Sequence, residues 1–348
     1  MPAPLIDWVA AEWLARRVAG RSVNTVPTLD LEPIVADAQM RVSAYTSLVP
    51  IEPIPSPEAV SRSQWVAANI SSTRALMEPM LDQVGDQMHR LSNAAQLRVA
   101  TVSTAEVGLA VGYMGKRVLG QYELVLLRQQ AQAHQPRLLF VTPNLGDAIT
   151  RFGADEREFI TWVALHEVTH AVQFGGVPWL QDHLGGLVAE LMEHAQQRLL
   201  SRRHLHLPSR AAVNRAGSAL RHGDLIGLVV SPQEQAILDR AQAVMAVVEG
   251  HAEHVMDAVA PELLPSLPAL RQALDARRRT QTPFGKLASR LLGMEMKMRQ
   301  YQRGKRFCDQ IVHQAGAEVQ QLLFSEPQAL PSLAEIEDPA AWLRRVHG

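Results

Sequence analysis

The sequence predicts an α+β fold, predominantly α-helical, in which a small β-sheet packs against one central helix. Three observations carry this expectation. Apolar residues recur at spacings of three and four over most of the chain. Two short runs, 122–127 and 137–142, read as the only convincing strands. A His-Glu-Val-Thr-His motif at 166–170 falls inside a helical segment that has its own start and stop signals.

The first ninety residues are helical in pattern. Residues 5–18 and the longer run 61–88 keep helical spacing, and 49–57 between them is a proline-rich connection. Residues 104–119, rich in Gly and Ala, read as a close-packed helix or turn region. The two strand-like runs are separated by a polar stretch suited to a hairpin connection. The pattern turns helical again at Asp155, which pairs with Glu158 as an N-terminal cap, and Gly175, Gly176 and Pro178 supply the stop. A further helix is expected over 180–200. The next opens at Ser231, where Ser231, Pro232 and Glu234 place a cap, a first-turn proline and a capping-box acid in order, and it continues to about residue 259, before Pro261. Residues 264–323 are again mostly helical, and the tail from 327 is punctuated by prolines. The expected organisation is an N-terminal helical region over 1–95, a catalytic core over 96–260 and a C-terminal helical region over 261–348, packed as one globular unit.

Composition narrows the function classes. The 348 residues are 47% hydrophobic and 20% charged, enough to bury a large core without disulfides. A net charge of -1 leaves no global positive field to hold a phosphate backbone, so no nucleic-acid partner is expected. The triplet Arg277, Arg278 and Arg279 reads as a solvated helix face. The single cysteine, Cys308, reads as a small buried hydrophobe and fits a reducing compartment. The N-terminus lacks the basic flank of a signal peptide. The longest apolar stretch, 107–119, is broken by Lys116 and Arg117 and falls short of the roughly 20 residues of a membrane span. A soluble cytoplasmic protein without a membrane partner is the expectation, with the oligomeric state left open.

The motif then gives the chemistry. Four residues apart on a helix, His166 and His170 differ by only about 40° and lie one turn apart on one face, so both imidazoles can reach one ion. Glu167 is displaced by about 100°, which keeps its carboxylate beside a metal-activated water. Zinc needs a third protein ligand. A histidine six residues after His170 would complete one known pattern, but that position is Gly176. The alternative is a carboxylate on the later capped helix, where Glu249 and Glu253 share a face. Glu249 is the expected ligand, and Glu253, one turn on, the carboxylate that would hold His166 or His170. Gly250 marks a close approach of another backbone. His251 and His254 sit about 200° and 140° around the helix from Glu249 and are expected in surface or structural roles. His183 is a further possible ligand or substrate contact.

The HExxH motif followed on a later helix by Glu249, Gly250, Ala252 and Glu253 resembles the gluzincin branch of the zincin metallopeptidases. More narrowly, the segments HEVTHAVQFGGVPWLQDHL, VVEGHAEHVMD and LLGMEMKMRQYQRGKRFC resemble a bacterial family of zincin-like hydrolases without an assigned substrate, some associated with deazaflavin coenzyme biosynthesis. The resemblance implies a zincin-like core holding one Zn2+ on His166, His170 and Glu249, with Glu167 as general base and Glu253 as the supporting acid. It departs from the shortest gluzincin spacing, with 78 residues between His170 and Glu249. The metal-water chemistry of the motif leads to hydrolysis of a peptide or small amide, with His183, Arg299 and Tyr301 as candidate oxyanion donors, and by analogy with gluzincins 137–142 is a sheet edge for an extended substrate. A zincin-shaped binding or scaffold protein, or a metal-dependent hydrolase of non-peptide substrates, are the competing expectations.

Overall fold

A computed structural model describes residues 4–21, 30–88, 92–124, 135–201, 231–265 and 294–346. Helices dominate, around one three-stranded sheet. Helix α1 (Trp8–Ala19) is capped by Asp7, and α2 (Leu31–Thr46) by Asp30. Strand β1 (Pro57–Val60) leads into α3 (Arg62–Met88) and α4 (Asn93–Gly115). Strands β2 (Gly120–Glu123) and β3 (Arg137–Val141) follow, then α5 (Thr142–Phe152) and α6 (Glu156–Gly176), which carries the HEVTH motif. Next come α7 (Pro178–Ser201), α8 (Pro232–Val259), α9 (Met294–Ala315), α10 (Gln320–Leu323), α11 (Leu333–Glu337) and α12 (Pro339–Val346). The Asp155 cap and the full Ser231–Glu234 capping box are both formed. The proline-punctuated tail also folds locally, because Ser332 and Glu335 make a second capping box for α11.

The strand order is β1-β3-β2, with β1 parallel and β2 antiparallel to β3. Strand β1 was not among the two expected strands: it is four residues long and begins at the end of the proline-rich connection, so it carries almost no alternation to read. Strand β3 is central and not an edge, so the expectation that 137–142 pairs with a substrate is overturned; its two neighbours take both of its hydrogen-bonding sides. Its run of Leu138, Leu139, Phe140 and Val141 is fully buried because both faces are covered. Leu138 and Phe140 join α2, α5, α6 and the end of α8 in one core, while Leu139 and Val141 join α1, α3 and α4 in another. The sheet is thereby a middle layer, and α6 lies on one face of it.

The Gly-rich and Ala-rich segment forms the second half of α4, where Gly108 and Gly112 let the helix close on the backbone of α1 at Ala11 and Ala15. Gly250 works in the same way, but its near neighbour is α9: a Cβ there would overlap the backbone of Gly304, and one on Gly304 would overlap the Ala246 carbonyl. Gly250→Ala is therefore expected to lower stability by roughly 2 kcal/mol through overpacking, read from urea unfolding. A midpoint equal to that of the native sequence would show that α8 and α9 are not in backbone contact. Cys308, on α9, is completely buried, and burial pushes its thiol well above the ordinary range. The basic triplet at 277–279 lies outside the described residues. Among those described, no helix is long and apolar enough to cross a membrane.

Candidate metal centre

Helix α6 is buried along most of its length, which fixes the rotation that turns His166 and His170 toward α8. Helix α8 brings Glu249 opposite them. His166, His170 and Glu249 form one cluster of potential ligand atoms, and no other such cluster occurs among the described residues. The Nε2 atoms of the two histidines are 3.2 Å apart, and Glu249 Oε2 lies 3.5 Å from one and 3.6 Å from the other. Tetrahedral zinc with bonds of about 2.0–2.1 Å separates its ligand atoms by roughly 3.3–3.4 Å, so the three donors already stand at the edge lengths of such a site. Their side chains keep 28%, 11% and 19% exposure, so the cluster is open on the His166 side, as a three-ligand site with a free fourth position requires.

The electrostatics favour a cation at this point. Burial alone would lower the basicity of His166, but its hydrogen bond to Glu249 and the charges of Glu167, Glu249 and Glu253 outweigh it and push its pKa up to about 9. Burial would conversely raise Glu249, but the two histidines hold it well below the usual carboxylate range. Without a metal, the positive charge between these groups is a proton.

Glu167 is buried beside the cluster, and its Oε2 accepts the backbone N–H of Tyr122 at 2.9 Å. The bond from Val141 N–H to the Leu119 carbonyl makes 119–141 a hydrogen-bonded pair of the β2–β3 ladder. By alternation the Tyr122 N–H points away from β3, toward the edge of β2 that no strand covers among the described residues. Gly120 leaves room for the acid, since a Cβ there would lie 2.7 Å from Glu167 Cγ. Tyr122 itself stacks on Phe174, which ties β2 to α6.

The ring supports differ from expectation. Met256 Sδ lies 3.3 Å from His166 Nδ1, and Gln173 Oε1 lies 2.9 Å from His170 Nδ1. Glu253, expected to hold one of these rings, acts on His166 through its charge, with no hydrogen bond to either histidine among the described contacts. The spacing of His170 and Gln173, three apart on one helical face, was the signal that could have found the glutamine. His251 and His254 are both buried and structural, not on the surface: His251 meets Gln173, while His254 bridges Asp309 at 2.7 Å and the Tyr45 hydroxyl at 2.9 Å. His183 lies on α7 against the Trp179 ring and is not part of the cluster; burial and Arg240 lower its basicity. Arg299 and Tyr301 fall within α9, but their side chains lie outside the described residues.

No protein of curated function matches the chain. A crystal structure of a candidate hydrolase with a novel fold, from Chloroflexus aurantiacus, is similar at 26% identity over 98% of this chain and 99% of that one, with a TM-score of 0.70. The family model of the zincin-like metallopeptidases matches residues 6–343, and together with the HEVTH helix this span places the chain in the zincin-like metallopeptidase family.

Proposed function

We propose that the protein is a zinc-dependent hydrolase that cleaves amide bonds, peptides first among them, with one ion held by His166, His170 and Glu249. The carrying observation is the set of three donor atoms at 3.2–3.6 Å with a pinned carboxylate beside them. Bound zinc would supply Lewis acidity, acidifying a water and polarising the substrate carbonyl. Glu167 takes the proton. Its Oε2 is held by Tyr122, which leaves Oε1 to accept a proton from water and pass it to the leaving amine nitrogen. As the carboxylate is fixed from β2, it loses little freedom when it acts. The outer edge of β2, which no strand covers among the described residues, supports the reading of an extended substrate better than β3 does, because it runs beside Glu167, although its Tyr122 N–H is already held by that carboxylate.

Purified protein is expected to carry one zinc per chain and to cleave members of a peptide library. A chelator should abolish cleavage, and added zinc should restore it. Protein that takes up no zinc, or cleavage indifferent to chelation, would overturn the reading.

A further inference from the structure

Behind the cluster, on the far side of His170, lies a second buried polar system centred on the Gln173 side chain, which is fully buried. Its Nε2 donates to the Val248 carbonyl at 3.0 Å. A carbonyl can only accept, so the amide nitrogen faces α8 and the amide oxygen faces His170. His170 Nδ1 must then carry the proton that Gln173 Oε1 accepts, which leaves the Nε2 lone pair directed at His166 and Glu249.

Gln173 Nε2 also reaches His251 Nδ1 at 2.9 Å, so that nitrogen accepts and the proton of His251 sits on Nε2. This Nε2 and Gln320 Oε1 are a buried donor and a buried acceptor that have no hydrogen-bond partner among the described contacts, and Gln320 is a neighbouring side chain that acts on His251. The Gln320 amide is oriented as Gln173 is, with Nε2 donating to the Ala317 carbonyl at 3.1 Å. Two backbone carbonyls thus fix both amides, and each ring N–H in the row points away from the place of the ion.

We propose that Gln173, His251 and Gln320 are positioning residues, a one-way row of donors that holds His170 as its Nδ1–H tautomer and keeps Nε2 available to a metal. The inference rests on the zinc reading above. Gln320, in the C-terminal region, thereby helps to set metal affinity from outside the cluster of three ligands. Without the Gln173 oxygen, the buried Nδ1–H would lose its acceptor, and a proton moved to Nε2 would have to be displaced by the ion.

The test measures the zinc dissociation constant against a chromophoric chelator for the native sequence, Gln173→Leu, Gln173→Glu and Gln320→Leu, together with the His170 tautomer by nitrogen-edited NMR of the zinc-free proteins. Gln173→Leu should weaken zinc binding roughly 10- to 100-fold and lose the Nδ1–H tautomer. Gln173→Glu restores the acceptor toward His170 but not the donor toward Val248 and His251, so it should regain the Nδ1–H tautomer and bind zinc more tightly than Gln173→Leu, which a packing role alone would not give. Gln320→Leu should weaken binding by a smaller but measurable factor. A folded Gln173→Leu protein with native affinity and tautomer overturns the proposal; native affinity in Gln320→Leu overturns the place of Gln320 in it. If the native sequence itself binds no zinc, it is the zinc reading that fails.

Discussion

Glu249→Gln is expected to lose zinc while keeping the fold. The amide matches the carboxylate in shape, so the packing of α8 against α6 survives, but the site loses its anionic donor and the charge that balances two imidazoles. The loss of affinity should exceed the roughly 100-fold that a supporting residue is worth, because a ligand is removed and not merely loosened. Glu253→Gln is the matched control: its charge reaches His166, yet no hydrogen bond from it to either ring is present, so its effect should be much smaller. Zinc content after dialysis and competition with a chelator read both. Stoichiometric zinc of native affinity in Glu249→Gln would remove this residue from the ligand set.

The same charges give zinc binding a pH dependence of definite sign. His166 is raised to about 9, so at neutral pH the ion must displace a proton from it. Apparent affinity should therefore rise about tenfold per pH unit from 7 toward 9 and level off above it. In Glu249→Gln the main partner that raises His166 is gone, and the slope should end at a lower pH.

What could be read from the sequence follows from the range of the interactions involved. His166, Glu167 and His170 are placed by helix periodicity alone, and the caps at Asp155 and Ser231 are local hydrogen bonds, so both were legible. Glu249 was legible as a helix face, and its meeting with α6 depended on the fold. Strand β1 was not, because its only support is the pairing with β3 some eighty residues away. The order of the sheet was hidden for the same reason, and with it the fact that β2 runs past Glu167. Gly250 announced a close backbone without saying whose; the answer, Gly304 on α9, is a tertiary fact. The burial of His251 depends on three segments meeting at Gln173 and Gln320, which no single helical wheel displays.

Glu167→Gln separates catalysis from metal binding. The substituted amide can still accept the Tyr122 N–H through its oxygen, so the side chain should stay where the carboxylate lies. It cannot take a proton from water. Zinc content should be unchanged, because Glu167 is not among the three clustered donors, and losing its charge only lowers the proton affinity of His166 with which zinc competes. Turnover of any substrate found by library screening should fall by about 100- to 10,000-fold, the usual worth of a positioned general base. The fall should lie in kcat, since no contact with bound substrate is removed. If turnover survives with zinc in place, proton transfer must be carried by another group, and the hydrogen bond that pins Glu167 to β2 would have to be read as structural.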